Sequence, residues 1–156
     1  MPKVDESIDV RVPVEQAYNQ WTQFEEFPKF MEGIQSVQQL DDGHVKWVAE
    51  VRGKTREWTT EITEQRPDEK IAWKTIGGEV KNDGVVTFEQ LGNNQTRINV
   101  EMDVEGESGT ENVAGDLLGV VKTQVRGDLE RFKQLIESRG EETGAFRGEV
   151  QDGETH

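Results

Sequence analysis

Apolar and polar side chains alternate with a period of two in segment after segment between Ile34 and Gly106. Because successive side chains of a β-strand point to opposite faces, each such segment predicts a strand with one buried and one solvent-facing side. Turn-forming pairs such as Gly77-Gly78 and Asp83-Gly84 separate the segments at short intervals, as antiparallel hairpins require. The sequence therefore predicts a sheet of about six antiparallel strands in this region.

One face of the predicted sheet is apolar and rich in aromatic residues, including three of the four tryptophans of the chain. Aromatic residues at strand spacing usually form an ordinary core. Four polar residues, Arg56, Thr60, Thr75 and Asn82, share this face, and an apolar surface with a few polar groups is also typical of a small-molecule pocket. Both interpretations stay open at this stage. The apolar members of the face are Trp47, Ala49, Val51, Trp58, Ile62, Trp73, Val86, Phe88, Ile98, Val100 and Met102.

A further strand and two short helices are predicted before the sheet region. Residues 3–12 alternate as a strand does, with Glu6 as the one polar residue on the apolar side. Pro13 suits the first turn of a helix, and Pro28 disfavours helix at the residue before it. Residues 13–31 therefore predict two short helices with a break at Phe27-Pro28. Trp21 and Phe24 are expected in the core.

One long amphipathic helix is predicted after the sheet region. Ser108 and Glu111 have the spacing of a capping box, and apolar residues follow at three- and four-residue steps as far as Ile136. The helix would have about 30 residues and end near Gly140. A row of small residues along it favours either close approach to the sheet or a bend that opens a pocket. The row consists of Gly115, Gly119, Thr123 and Gly127.

The chain predicts one α+β domain over residues 1–139, because a single sheet and a single long helix form two layers around one core. Residues 140–156, GEETGAFRGEVQDGETH, have no hydrophobic period and predict a disordered acidic tail. Phe146 and Val150 are the two tail residues that would dock on the domain if the tail were ordered.

The formal net charge of −14 repels phosphate backbones, and the sequence has no basic run, so no nucleic-acid partner is expected. No apolar run approaches the about 18 residues that a membrane span needs, and the N-terminus lacks the pattern of a signal peptide. We therefore expect a cytoplasmic protein without stable membrane insertion.

The residues suited to catalysis or metal binding are few. There is no cysteine, which excludes disulfides, thiolate catalysis and cysteine-bound metals. The two histidines are His44, on the solvent-facing side of its strand, and His156, the last residue. A Ser-His-Asp arrangement or a histidine metal site is therefore not expected, nor is any metal or cofactor. Glu6 is the one carboxyl group that burial could turn into an acid or base, and no catalytic residue can be assigned.

The stretches VRVPVEQAYNQWTQFEEFPKFMEGIQSV, IAWKTIGG and GVVTFEQLGNNQTRINVEM, together with the final long helix, resemble the START-like superfamily. This superfamily is also called SRPBCC or polyketide cyclase/dehydrase-like, and the resemblance covers about residues 3–138. It implies a helix-grip fold, in which a curved seven-stranded antiparallel sheet surrounds the C-terminal helix and a deep cavity lies between them. It also implies that Phe27, Phe30 and Met31 lie near the cavity mouth. Members bind lipids, sterols, polyketides, quinones or hormones, and a minority catalyse cyclisation or dehydration.

Three functions fit these features. The preferred interpretation is a carrier or sensor, monomeric or homodimeric, that binds a small hydrophobic molecule whose polar end Arg56 or Gln124 orients. The alternatives are a cyclase or dehydratase, whose turnover would depend on Arg56 or Glu6, and an interaction module whose groove receives a partner protein. The expected ligand-binding residues are Phe27, Phe30, Met31, Trp47, Arg56, Trp58, Thr60, Trp73, Asn82, Phe88, Val100, Met102, Leu117, Val121 and Gln124.

Overall fold

A computed structural model describes residues 3–31, 33–51, 54–78, 81–105, 116–139 and 148–155 of the chain. Seven strands form one antiparallel sheet in the order β1-β7-β6-β5-β4-β3-β2, and a short hairpin, β8-β9, joins β4. In chain order the elements are β1 (Lys3–Val10), α1 (Val14–Trp21), a 3-10 helix (Phe24–Lys29), β2 (Ile34–Asp41), β3 (His44–Val51), β4 (Lys54–Arg66), β5 (Lys70–Gly78), β6 (Lys81–Gly92), β7 (Gln95–Glu105), α2 (Asp116–Arg139), β8 (Val150–Gln151) and β9 (Glu154–Thr155).

The strand register confirms the predicted faces of the sheet. Trp47 of β3 stands opposite Trp58 of β4, and Val86 of β6 stands opposite Val100 of β7, so residues of the same parity share a face. The register shifts within the β4–β5 pair, between residues 59 and 60 and again between 62 and 64. Such bulges bend a strand and increase its twist, which helps this sheet to curve around α2. The helix-grip architecture predicted from the sequence is confirmed, with the β8-β9 hairpin as an addition to the seven expected strands.

The two short helices are present, but the break between them is not at the predicted position. Pro28 lies inside the 3-10 helix, and the interruption falls at Thr22 and Gln23. Thr22 ends α1 by donating its hydroxyl to the carbonyl oxygen of Asn19 at 2.6 Å. The prediction of a break at Phe27-Pro28 was wrong, because a 3-10 helix this short tolerates a proline without an N–H group. The chain continues to turn after Pro28, and the amides of Phe30 and Met31 both donate to the carbonyl oxygen of Phe27.

The C-terminal helix α2 lies across β1 and is held there by polar contacts at the rim and apolar contacts at the centre. Arg126 donates its Nε to Glu6 Oε1 at 2.9 Å, and Lys133 donates its Nζ to the carbonyl oxygen of Asp9 at 2.8 Å. Glu6 is therefore part of a helix-to-sheet ion pair. Residues 106–115, which include the predicted capping box, lie outside the described residues, as does Gly140. The side chains at the centre of the interface are Leu129, Phe132 and Ile136, all buried.

The C-terminal hairpin differs from the predicted disordered tail. Strand β3 begins at His44, which stands opposite Glu61, so β4 has no partner in β3 beyond that point. Val150 and Gln151 of β8 pair with Gln65 and Glu64 of β4 along this free edge. Val150 is 2% exposed and packs in the main core. An unpaired strand edge leaves backbone groups unsatisfied, and the hairpin fills it. Residues 140–147, which include Phe146, lie outside the described residues, and the domain limits at 1–139 stay a prediction.

We expect the substitution Gly43→Ala to release this hairpin. A β-carbon at residue 43, in the turn between β2 and β3, would overlap the backbone of Gly153 in the turn between β8 and β9. The free energy of unfolding should fall by about 1–3 kcal/mol, and the amide of Gly153, which donates to Ile62, should exchange faster with deuterium. The matched control is Gly77→Ala, where a β-carbon would meet no atom within 4 Å. Equal exchange at Gly153 in both variants would contradict the predicted overlap.

The stability of the same region should depend on pH through His44. Its Nδ1 lies 2.7 Å from Asp41 Oδ1 and its Nε2 lies 3.3 Å from Glu61 Oε1, while Lys74 pairs with Glu61 on the outer side. The hydrogen bond to Asp41 raises the pKa of His44 above its ordinary value of 6.5, with a smaller contribution from Glu61. A pKa raised by folding stabilises the folded state below the unfolded pKa, and this contribution disappears as the pH rises through the folded pKa.

We therefore expect His44→Gln to reduce stability more at about pH 5.5 than at about pH 8.5, as measured by urea unfolding of both proteins. The same hydrogen bond lowers the pKa of Asp41, so the pair weakens again in stronger acid as that carboxyl group takes up a proton. When the variant and the wild type are compared at the same pH, the contributions of the other titrating groups to the free energy of unfolding cancel. An equal loss of stability at both pH values would show that the imidazolium charge does not stabilise this turn.

Candidate ligand-binding site

A cavity of about 360 Å³ lies between the curved sheet and α2. Its sheet wall comes from inward-facing positions of five strands, so the alternation that predicts the strands also supplies this wall. The surface of this sheet wall is mainly apolar, and its polar members are Thr60, Asn82 and, at the end of β3, Glu50. The sheet residues that line it are Val45, Trp47, Ala49, Glu50, Trp58, Thr60, Ile62, Ile71, Trp73, Asn82, Val100 and Met102.

The rest of the wall comes from the segment between β1 and β3 and from α2. Trp21, from the end of α1, lines the cavity together with Trp47, Trp58 and Trp73, so all four tryptophans of the chain face it. Intrinsic fluorescence therefore reports directly on the contents of the cavity. The remaining lining residues are Phe24, Phe27, Met31, Gly33, Ile34, Gln124, Val125, Asp128 and Leu129.

Two of the four tryptophans, Trp47 and Trp73, are held by hydrogen bonds within the wall. Trp47 donates its Nε1 to Thr60 Oγ1 at 2.9 Å, and Trp73 donates its Nε1 to Asn82 Oδ1 at 3.4 Å. The rings of Trp47 and Trp58 are parallel within 2°, with centroids 6.0 Å apart. Because the indole donors of Trp47 and Trp73 are satisfied inside the wall, these rings offer apolar surface to a guest.

The helix side of the cavity carries a polar cluster formed by Gln124, Asp128 and Arg131. Gln124 donates its Nε2 to Asp128 Oδ1 at 3.2 Å, and Arg131 donates its Nη2 to the same oxygen at 2.6 Å. Arg131 also donates its Nε to the Phe30 carbonyl oxygen at 2.8 Å, which ties α2 to the segment after the 3-10 helix. The Asp128 side chain is 13% exposed, so it is a nearly buried carboxylate beside the cavity, held by a cation.

Gly127 makes room for this cluster. A β-carbon at this position would lie 3.1 Å from both terminal nitrogens of Arg131, and no sheet atom is among its nearest neighbours. Close approach to the sheet therefore does not account for Gly127, and the bend in the helix stays a prediction. The guanidinium group of Arg131 lies over Gly127, and a side chain there would require it to shift by a few tenths of an ångström.

Most of the predicted ligand-binding residues are brought together at the cavity, but three are not. Phe30 is in the core, with its ring centroid 5.2 Å from that of Phe132, and Phe88 packs in the same way against Tyr18 at 5.4 Å. Arg56 has inward parity and is half-buried near the start of β4, but it does not line the cavity. The side chains of Leu117 and Val121 lie outside the described part of the structure. Those that line the cavity are Phe27, Met31, Trp47, Trp58, Thr60, Trp73, Asn82, Val100, Met102 and Gln124.

Two acidic residues of the cavity wall, Glu50 and Asp128, were missed by the sequence reasoning. Asp128 follows Gln124 by four residues and therefore lies on the same helix face, so this spacing was a usable signal. Glu50 has outward parity on β3 and reaches the cavity only at the strand end. Trp21 and Phe24, expected in the core, belong both to the core and to the cavity wall.

Among the described helices, none combines the length and the apolar character needed to cross a bilayer. In the described part of the chain, no three His, Cys, Asp or Glu side chains are grouped closely enough to hold a metal ion.

Comparisons with known proteins give a consistent assignment. Residues 10–133 match the family model described as polyketide cyclase / dehydrase and lipid transport. An uncharacterized 17.2 kDa protein of Streptomyces lincolnensis is 55% identical over 150 residues, which are 96% of this chain and 99% of that protein.

Solved structures share the fold. A Deinococcus radiodurans protein superposes with a TM-score of 0.69 at 27% identity, covering 88% of this chain and 98% of the other. An aromatase/cyclase from Streptomyces sp. R1128 superposes with a TM-score of 0.73 at 18% identity, over 92% of this chain and 98% of that one. A START superfamily protein of Mycobacterium smegmatis gives a TM-score of 0.69 at 20% identity, over 88% and 95% of the two chains. Because the family model matches residues 10–133, which are most of this chain, the chain belongs to the polyketide cyclase / dehydrase and lipid transport family, and it shares the fold of the START superfamily protein.

Proposed function

We propose that this protein binds a small, mostly apolar molecule in the cavity between the sheet and α2 and acts as its carrier or sensor. The observation that carries the proposal is the cavity itself, about 360 Å³ in volume and lined by four tryptophans among mainly apolar side chains. Apolar concave sites of this size with a few convergent polar groups are typical of small-molecule binding. A guest that buries about 200 Å² of apolar surface would gain about 5 kcal/mol from that burial.

The proposal can be tested with an uncharged fluorescent probe, N-phenyl-1-naphthylamine. Because every tryptophan of the chain lines the cavity, binding should quench tryptophan emission and sensitise the probe through energy transfer. Native mass spectrometry of freshly purified protein should also show a co-purified small molecule that is lost on denaturation. Absence of both probe binding and any co-purified molecule would refute the proposal.

A cyclase or dehydratase that acts on a molecule held in the same cavity is the second candidate. The observation that favours it is Asp128, a nearly buried carboxyl group in the cavity wall, because such a group can exchange protons with a bound molecule. The residues first proposed for this role are less suitable, since Arg56 does not line the cavity and Glu6 is paired with Arg126. Liquid chromatography with mass spectrometry separates the two functions. A carried molecule leaves the protein with unchanged mass and retention time, a dehydrated one is about 18 Da lighter, and one cyclised without loss of water keeps its mass but changes its retention time.

A further inference from the structure

We propose that the cavity selects an uncharged planar molecule with a hydrogen-bond donor, such as a phenol, over the corresponding carboxylate, and that Gln124 and Asp128 make this selection. The inference rests on the proposed ligand-binding function and goes further by naming the chemistry of the ligand. It follows from three observations on the cavity wall: the orientation of one amide group, the signs of the charges, and the shape of the space.

The orientation of the Gln124 amide is fixed by its neighbour. The carboxylate of Asp128, held by Arg131, can only accept hydrogen bonds, so Gln124 must turn its NH₂ group toward it. The Oε1 atom of Gln124 then faces elsewhere, and it accepts no hydrogen bond from the described residues. With its NH₂ group turned to Asp128, the lining residue Gln124 has its acceptor Oε1 left for a donor on the ligand.

The charges of the wall point the same way. Among the described residues that line the cavity there is no lysine, arginine or histidine, whereas Asp128 is an acid. Glu50, the other acidic lining residue, has an exposed side chain that accepts a hydrogen bond from Gln35, so its charge lies outside the cavity. Arg131, the cation that holds Asp128, is not a lining residue and donates to Asp128 and to Phe30. A carboxylate ligand would lose its hydration without gaining a cationic partner from these lining residues and would meet the carboxylate of Asp128. The wall therefore disfavours anions.

The shape of the space limits the size of the ligand. A volume of 360 Å³ is near the lower end of the range for drug-sized ligands, which suits about two or three fused rings. The rings of Trp47 and Trp58 are already stacked in parallel on the cavity wall, and a planar ring system can add to such a stack. A planar bicyclic or tricyclic phenol satisfies the size, the shape and the need for a donor together.

The test is competition for the bound probe N-phenyl-1-naphthylamine between 2-naphthol and 2-naphthoate at neutral pH, where the first is uncharged and the second is an anion. The two share one ring system, so burial is matched and only the polar group differs. We expect 2-naphthol to bind at least about tenfold more tightly. If the probe binds but 2-naphthoate competes equally or better, this inference is wrong and the proposed function stands. If neither the probe nor either competitor binds, both this inference and the proposed function are wrong.

Two variants of α2 assign the selection to Asp128. Asp128→Asn removes the charge beside the cavity, and Glu130→Gln removes a charge from the exposed side of the same helix. We expect the first to reduce the preference for 2-naphthol to about threefold or less and the second to leave it unchanged. An equal effect of both variants would show that the net charge of the protein, and not Asp128, sets the preference.

A third variant, Gln124→Leu, removes the proposed acceptor without touching the charge. It should lower the affinity for 2-naphthol about five- to tenfold, and it should leave the affinity for naphthalene, which has no hydrogen-bond donor, unchanged. Circular dichroism and thermal unfolding confirm that each variant is folded before its affinities are compared. If the affinities for 2-naphthol and naphthalene fall equally, Gln124 contributes only to the shape of the cavity, which contradicts its proposed role as an acceptor.

Discussion

Replacing Phe132 with alanine should lower the free energy of unfolding by about 3–5 kcal/mol, the usual cost of removing a fully buried aromatic side chain. Phe132 is 0% exposed, and its ring centroid lies 5.0 Å from that of Trp21 and 5.2 Å from that of Phe30. It therefore joins α2 to α1 and to the 3-10 helix segment, two neighbouring elements that strands β2 to β7 separate from α2 in the sequence. A loss of this size is a large part of the about 5–15 kcal/mol that stabilises a typical domain.

Urea unfolding followed by far-ultraviolet circular dichroism measures this loss. Leu40→Ala is the control, because it also removes a large apolar side chain, but from a position that is 51% exposed. The control should change stability by no more than about 0.5 kcal/mol. A loss below about 1.5 kcal/mol in Phe132→Ala would show that the aromatic cluster closes over the space and does not depend on this ring.

The substitution Ala49→Phe should abolish ligand binding while the protein stays folded. Ala49 lines the cavity on β3 and is 3% exposed, so a phenyl ring at this position would occupy the volume that a ligand needs. We expect the affinity for N-phenyl-1-naphthylamine to fall at least about 100-fold, or about 2.7 kcal/mol. The stability should change by no more than about 1.5 kcal/mol, because the added ring enters existing space and does not displace packed neighbours.

The matched control for the cavity is the same substitution on the other face of the sheet, Ala72→Phe. Ala72 lies between Ile71 and Trp73, both of which line the cavity, so its own side chain points away from it. Probe affinity in this variant should equal that of the wild type. Equal loss in both variants would place the probe outside the cavity and would remove the support that probe binding gives to the proposed function.

The faces of the sheet could be predicted from the sequence because the period of two is a local property of the chain. Trp47, Trp58, Trp73 and Met102 were assigned to the cavity by parity and by the resemblance, and each lines it. Parity alone does not decide which inward residues touch a cavity, however. Phe88 has the correct parity, yet its ring is in contact with Tyr18 and Trp21, because α1 covers that end of the sheet.

The polar part of the site was predicted less well. Gln124 was identified because it interrupts an apolar helix face, and the same argument extends to Asp128, four residues on. What sequence does not supply is the contact with Arg131, which requires the guanidinium group to fold over Gly127 and reach the backbone of Phe30. Such a contact depends on the distance between α2 and the 3-10 helix segment, which is set by packing.

By itself, the sequence determined the order of the elements, the buried face of each strand and the apolar stripe of the long helix, since all of these follow from periodicity within one segment. Only the tertiary structure decided how far apart the sheet and the helix lie, and so whether their apolar faces enclose about 360 Å³ or fill it. It also decided that Val150 docks beside β4, because a two-residue strand carries no period of its own and is held by the edge that another strand leaves open. Distances between segments are set by the packing of the whole domain, and no local pattern encodes them.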